Sequence, residues 1–172
     1  MPDSHIKSVS EPATAPRVRL AIPSDAPLLA ELRLKLRTAL APEVEPEAGF
    51  RERCSAWMAG RLAQPGPWYC WLAEEADGLL LGTVWVQILE KLPNPVHEPE
   101  RHAYVTGFYV RPAARNLGLG SALLEAALAL CSEQGTDTVF LWPTPRSRPL
   151  YLRHGFVERA GVLELVAERG PR

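Results

Sequence analysis

The chain has 172 residues, of which 47% are hydrophobic, and its 19 basic and 20 acidic side chains give a net charge of -1. This length and apolar content suit one domain with one core, and a neutral chain lacks the field that draws proteins onto nucleic acid or anionic membranes. The three cysteines have the spacing of neither a zinc site nor a redox dithiol. We therefore expect reduced thiols in a cytoplasmic protein, with neither nucleic acid nor a membrane among its partners.

The N-terminal half of the sequence predicts a tail, a strand and two helices. Residues 1–16 are rich in Ser, Pro and Ala, which predicts a disordered tail and places the domain at 17–172. Alternation predicts a strand at Arg17–Ile22, and helical spacing then predicts two amphipathic helices, the second over Phe50–Leu62. The strand places Val18, Leu20 and Ile22 on one face. The buried stripe of the first helix is expected to consist of Leu28, Leu29, Leu32 and Leu36.

The C-terminal half predicts a hairpin followed by alternating strands and helices. Trp68–Glu74 and Leu79–Glu90 flank an Asp-Gly pair, which indicates two antiparallel neighbours. A proline-rich loop then leads to a strand at Ala103–Val110, and the clearest helix follows over Gly118–Glu133. The short apolar run Val139–Trp142 predicts a strand covered on both faces. A short helix and a closing pair of strands are expected after it.

The turn from the strand ending at Val110 into the helix beginning at Gly118 has the features of a phosphate site. The free amides and the dipole of a first helical turn favour an anion, and glycines at 118 and 120 keep Cβ atoms away from it. Arg115 adds a positive charge at the entrance. A glycine pair can also serve close packing alone. A Walker loop requires a Gly-Lys-Ser/Thr ending, and a Rossmann fingerprint follows a first strand, so neither spacing fits.

The segment Arg115-Asn116-Leu117-Gly118-Leu119-Gly120 resembles the Arg/Gln-x-x-Gly-x-Gly/Ala signature of the GNAT superfamily of N-acetyltransferases. The preceding Phe108-Tyr109-Val110 resembles that family's fourth strand, and the run from Pro149 to Phe156 resembles its second motif. The resemblance implies an α/β fold with a mixed, mostly antiparallel, twisted sheet of six to seven strands. It also implies that this sheet is splayed between strands 4 and 5 and carries helices on both faces.

The resemblance further implies acetyl-CoA as cosubstrate and assigns roles to the two motifs. Tyr151 would act as the general acid that protonates the leaving thiolate. Backbone groups of the fourth strand would pair with the pantetheine arm, and the amides of the following turn would hold the pyrophosphate. The residues implied in coenzyme binding are Phe108, Tyr109, Val110, Arg115, Asn116, Leu117, Gly118, Leu119, Gly120 and Ser121.

The residue that accepts the amine proton is left open by the sequence. Some members of the family carry a glutamate on the fourth strand, where Tyr104 stands in this chain. His102, whose ordinary pKa of about 6.5 suits proton removal at neutral pH, and Glu90 are the other two candidates. Glu98 and Glu100, in the loop before the fourth strand, are expected to attract a cationic amine.

Together these features predict direct transfer of an acetyl group to an amine of a small molecule or peptide, in a ternary complex and without a metal. One alternative is a non-catalytic acyl-CoA-binding module, against which Tyr151 argues. Another is a transferase that acts on a macromolecule, although the neutral charge weighs against a substrate bound to nucleic acid. The acceptor and the formation of a homodimer stay open.

Overall fold

The computed structural model describes residues 15–40, 47–159, 161 and 163 of the chain. By its internal contacts the chain falls into two compact units, the first ending at Leu141 and the second beginning at Trp142. All but the last two residues of the predicted tail lie outside the described residues.

The first unit is built on a five-stranded sheet in the order β1-β2-β3-β4-β5. The first four strands are antiparallel neighbours and β5 runs parallel to β4, so the prediction of a mixed, mostly antiparallel sheet is confirmed. The strands are β1 (Arg17–Leu20), β2 (Trp68–Glu74), β3 (Leu80–Glu90), β4 (Arg101–Val110) and β5 (Thr138–Phe140).

Among the described residues the sheet has five strands, where six to seven were predicted. In the described part of the chain, residues 156–159 follow the last helix without forming a strand. The rest of the segment expected to hold the closing pair, at 160, 162 and 164–172, lies outside the described residues. The structure therefore supports a five-stranded sheet.

Helices pack against both faces of this sheet. Because successive strand residues point to opposite faces, Cys70 and Leu72 enter a core cluster with α1 and α2, whereas Ala73 enters a second cluster with α3. The helices are α1 (Ala26–Leu40), α2 (Glu47–Leu62) and α3 (Leu119–Glu133) in the first unit and α4 (Arg148–Arg153) in the second.

Three apolar residues of the predicted strand face and of the predicted buried stripe of α1 are exposed. Leu20 is 44% exposed, Ile22 54% and Leu28 48%. Leu20 lies on a four-residue strand at the edge of the sheet, and Ile22 lies just beyond it. The buried stripe of α1 includes Ala26 and Ala30, whose small side chains allow close packing, so it is centred away from Leu28.

An ion cluster joins β1, β2 and the start of α1. The Arg19 guanidinium donates hydrogen bonds of 2.8–2.9 Å to both Asp25 and Glu74. Asp25 also accepts the backbone N–H of Ile22 at 2.8 Å, which fixes the chain entering the helix. The hydrogen bonds from Arg19 hold the pKa values of both carboxyls below their ordinary values.

Replacing Arg19→Met is expected to cost about 2–3 kcal/mol of stability at pH 7. The variant leaves two partly buried carboxylates without their cation. Removing one partner of a fully buried ion pair costs roughly 3–5 kcal/mol, and partial burial makes the loss smaller. Depressed carboxyl pKa values stabilise the fold above the ordinary values of 3.8 and 4.5, and this contribution is lost as pH falls through the folded-state values. The difference in unfolding free energy between wild type and variant should therefore become smaller in acid.

Urea unfolding at pH 7 and below pH 4 measures both effects of that substitution. Arg17→Met is the matched control, because Arg17 reaches Glu74 only at 3.6 Å with a side chain that is 70% exposed. The control should lose less than about 1 kcal/mol. Equal losses in the two variants would contradict a special role for Arg19.

Candidate functional site

Strand β4 carries a bulge three residues before its end. Thr83 on β3 pairs with Tyr109, but Trp85 pairs with Thr106, so β4 holds one residue more than β3 across this interval. Gly107 lies in the extra stretch with φ +60°. A Cβ there would approach Trp85 Cδ1 to 3.0 Å. Both the backbone conformation and the indole therefore require glycine at this position. The bulge also leaves part of the β4 backbone outside the hydrogen-bonded pairing with β3.

Beyond the bulge, one edge of β4 points away from β3. The N–H of Arg111 donates to the carbonyl of Leu81 at 2.8 Å, so Arg111 and, two residues earlier, Tyr109 face β3. The backbone groups of the intervening Val110 consequently face the other edge of the strand. The pairing of β4 with β5 covers only residues 102–104 of β4 and 138–140 of β5.

The turn after β4 leads into the N-terminus of α3, a helix end that has no side-chain cap. Gly118 is the N-cap residue, with φ +80°, and it makes no side-chain cap hydrogen bond. The first intrahelical bond runs from the N–H of Ala122 to the carbonyl of Gly118 at 3.0 Å. The earlier amides have no intrahelical acceptor, and a Cβ built on Gly118 would project into open space. The arrangement fits an anionic group such as a diphosphate.

Arg115 is held against β4. Its Nε donates to the carbonyl of Val110 at 2.8 Å, and its guanidinium carbon lies 6.0 Å from the centre of the Tyr109 ring. The next residue, Asn116, takes a left-handed conformation with φ +63°. Arg115 thus ties the turn after β4 to the strand edge while contributing positive charge to it.

Tyr104 lies where the pairing of β4 and β5 ends. It is the last β4 residue paired with β5, and its ring stacks on Phe140 with 5.4 Å between ring centres and 22° between planes. Tyr104 also lies within electrostatic range of Arg33 on α1. Of the three candidate proton acceptors, it is the nearest to the bulge along β4.

Glu90, the last residue of β3, and His102, near the start of β4, lie at the end of the β3–β4 pairing that is far from the bulge. Glu90 pairs with Arg101 and lines an open groove of about 560 Å³ with Tyr69 and Gln134. His102 and Gly107 are five positions apart, a span on the order of 17 Å along a strand. The structure therefore separates these two candidates from the bulge and the α3 N-terminus.

Lys91 organises the loop before β4. Its ammonium lies 2.6 Å from Asp137 and 3.0 Å from Glu98, and Asp137 also contacts Nδ1 of His102 at 2.8 Å. The bond from Lys91 is the main cause of the lowered pKa of Asp137. Glu98, expected to attract a cationic amine, is instead paired with a lysine of its own loop.

The second unit places Tyr151 on α4 within a hydroxyl network. The Tyr151 side chain is 6% exposed, and its ring lies 5.6 Å from that of Phe156. Burial raises the pKa of Tyr151 to about 12, and a hydrogen bond with Ser147 partly opposes this shift. Ser147 Oγ lies 2.9 Å from Thr144 Oγ1. The hydroxyl therefore keeps its proton across the neutral range.

Sequence reasoning missed Gly107 and Ser147. A glycine inside a strand pattern is a signal for a bulge, so Gly107 could have been found. Ser147 carries a weaker signal, because a serine three residues after Thr144 is typical of many turns. Elsewhere in the described ranges, no helix is long and apolar enough to cross a bilayer, and no group of three His, Cys, Asp or Glu side chains is placed to hold a metal.

The chain matches the model of the Acetyltransferase (GNAT) family over residues 31–156. It is 33% identical over 109 residues to mycothiol acetyltransferase of Cellulomonas flavigena, a match that covers 58% of this chain and 31% of the relative. It is 37% identical over 120 residues to mycothiol acetyltransferase of Clavibacter michiganensis, a match that covers 67% of this chain and 35% of that relative. The match thus spans about a third of the length of these relatives.

Solved structures share the fold over nearly the whole chain. A GCN5-related N-acetyltransferase from Ralstonia eutropha superposes with a TM-score of 0.73 at 26% identity, covering 90% of this chain and 100% of that one. An acetyltransferase from Clostridium acetobutylicum, solved with acetyl-CoA, superposes with a TM-score of 0.72 at 23% identity, covering 88% and 96%.

Proposed function

Since the chain belongs to the GNAT acetyltransferase family, we propose that it moves an acetyl group from acetyl-CoA to an amine of a small molecule by direct attack. The observation that carries this proposal is the uncapped N-terminus of α3, where a Cβ on Gly118 would meet open space, directly after the outward edge of β4. These two features supply amides for a diphosphate and a strand edge for an extended arm.

The coenzyme is held mainly by backbone in this proposal. The amides of residues 116–121 bind the pyrophosphate, assisted by the helix dipole and by the charge of Arg115. The pantetheine arm, which carries amide groups, pairs with the edge of β4 at Phe108 and Val110, beyond the pairing with β5. Because Arg115 donates to the carbonyl of Val110, the N–H groups of this edge are the main partners for the arm.

The reaction joins the amine nitrogen to the thioester carbon and breaks the bond from carbon to sulfur. Sulfur leaves as a thiolate. The amine proton passes to water by way of the Tyr104 hydroxyl, beside the end of the β4–β5 pairing, which accepts this proton as it releases its own. Tyr151 stabilises the departing sulfur. With a pKa of about 12, its hydroxyl is a weak acid, so it acts chiefly by donating a hydrogen bond to the thiolate.

Calorimetric titration with acetyl-CoA, ATP and NAD tests the coenzyme assignment. Acetyl-CoA should bind, while ATP and NAD should not, because a shared pyrophosphate alone does not reproduce the contacts of the pantetheine arm. ATP binding as tight as acetyl-CoA binding would contradict the proposal. Release of free CoA in the presence of an amine library then separates an acetyltransferase from a module that binds acyl-CoA without turnover.

A further inference from the structure

Arg33 is a charged residue inside the packed face of α1. Its neighbours in sequence, Leu32 and Leu34, are both buried, and the Arg33 side chain is itself half-buried. Among the described residues, the Arg33 guanidinium has neither a hydrogen bond nor an ion pair, whereas Glu31 and Lys35 on the same helix pair at 2.7 Å. Arg33 is therefore a half-buried cation that lacks a counterion in this part of the chain.

The surroundings of Arg33 do not compensate its charge. Burial is the main cause of its lowered pKa, and the nearby Arg37 lowers it further. The opposing influences come from Cys54 and Tyr104, and neither of these side chains is a carboxylate. A half-buried charge costs free energy unless an anion pairs with it, so this environment favours binding of an anionic group.

The position of Arg33 connects it to the candidate site. Helix α1 covers the same sheet face as Trp85, the indole that contacts the bulge glycine Gly107. Tyr104, within electrostatic range of Arg33, stacks on Phe140 at the end of the β4–β5 pairing. Helix α1 contacts β4, and Ala103 and Val105 belong to the cluster on the α3 side, so Tyr104 points to the face that α1 covers. Arg33 and the residue proposed to relay the amine proton thus lie on the same side of the sheet.

We propose that Arg33 binds a carboxylate or phosphate group of the acceptor, so that the acceptor is an amine that also carries an anionic group. The planar guanidinium presents two parallel N–H donors, which match either oxyanion. This inference rests on the proposed acetyl transfer. It replaces the expectation that carboxylates of the loop before β4, Glu98 and Glu100, recognise a cationic amine, since Glu98 pairs with Lys91.

An anion could also come from the chain itself, since Glu43 and Glu45 follow Arg33 closely in sequence and lie outside the described residues. Thermal unfolding of the Arg33→Met variant distinguishes the two sources. Removing an unpaired charge should raise the melting temperature by about 2–4 °C. A fall in the melting temperature, matched by a similar fall in the double variant Glu43→Gln, Glu45→Gln, would show an internal ion pair and overturn the proposal.

Binding to the CoA complex tests recognition without requiring turnover. The probes are ω-amino carboxylates and aminoalkyl phosphates, each compared with its uncharged carboxamide or alcohol. Wild type should bind the anionic members about 10- to 100-fold more tightly, as expected for hydrogen bonds to a charged group. Arg33→Met should abolish this preference, and Arg33→Lys should restore part of it. Equal binding of anionic and uncharged probes to wild type would overturn the proposal.

Arg37→Gln is the matched control, because it removes the same charge from an exposed position one turn along α1. This variant should keep the preference for anionic probes. If it loses that preference as completely as Arg33→Met does, the preference reflects the net charge of the surface and the proposal is overturned. Kinetics with acetyl-CoA should show the same preference in KM, with kcat changed less than threefold. If acetyl-CoA binds but no amine is acetylated, the proposed function fails, while the binding preference still decides the role of Arg33.

Discussion

Replacing Gly118→Val should weaken acetyl-CoA binding at least a hundredfold. Its φ of +80° is unfavourable for a branched side chain, and the new methyl groups would enter the open space before the first turn of α3. The amides that would otherwise meet the pyrophosphate would then be covered. Titration of the purified variant with acetyl-CoA measures the loss, and far-ultraviolet circular dichroism establishes that the domain is folded.

Gly135→Val separates the two effects of that substitution. Gly135 follows the other end of α3 with φ +66°, and a Cβ there would also meet open space. The two variants should lose similar stability because the backbone strain is similar, but only the change at 118 should affect the coenzyme. Unchanged affinity in Gly118→Val would show that this glycine serves the fold alone.

Tyr151→Phe should lower kcat for a good amine by roughly ten- to a thousandfold and leave acetyl-CoA affinity nearly unchanged. The variant removes one hydroxyl and keeps the ring that lies against Phe156. Since burial raises the pKa of Tyr151 to about 12, the hydroxyl stays protonated from pH 6 to pH 10. The ratio of wild-type to variant rates should therefore be constant across that range.

Steady-state rates at several pH values check both parts of this expectation. Tyr69→Phe is a suitable control, because it removes a hydroxyl from a half-buried tyrosine on β2. The control should keep full activity. Full activity of Tyr151→Phe would make Tyr151 a structural residue, and a ratio that changes steeply near neutral pH would indicate a titrating group in place of a constant hydrogen-bond donor.

Predictions from the sequence were most accurate where local chemistry determines the structure. The Asp-Gly pair at 77–78 predicted the β2–β3 hairpin, and Gly135 was expected just after the end of α3, where it is found. The buried stripe of α1 was predicted less well. Its packing depends on how closely Ala30 approaches the sheet, which leaves Leu28 in solvent, and helical spacing alone does not contain that information.

The candidate site likewise has a part that the sequence could predict and a part that it could not. The turn through Arg115 and Gly118 is contiguous in sequence, so a pattern could indicate it. Arg33 and Tyr104, by contrast, are 71 positions apart, and only the packing of α1 over β4 brings them within electrostatic range. Their relation depends on tertiary structure, which residue spacing does not encode.

The bond from Arg115 to the carbonyl of Val110 has a thermodynamic consequence. It fixes the turn between β4 and α3 in the free protein, and the left-handed conformation of Asn116 is part of the same fixed path. A site whose backbone is ordered in advance loses little conformational entropy when a ligand arrives. Coenzyme association at this turn should therefore resemble docking onto a rigid surface, with an entropy cost that comes mainly from the flexible ligand.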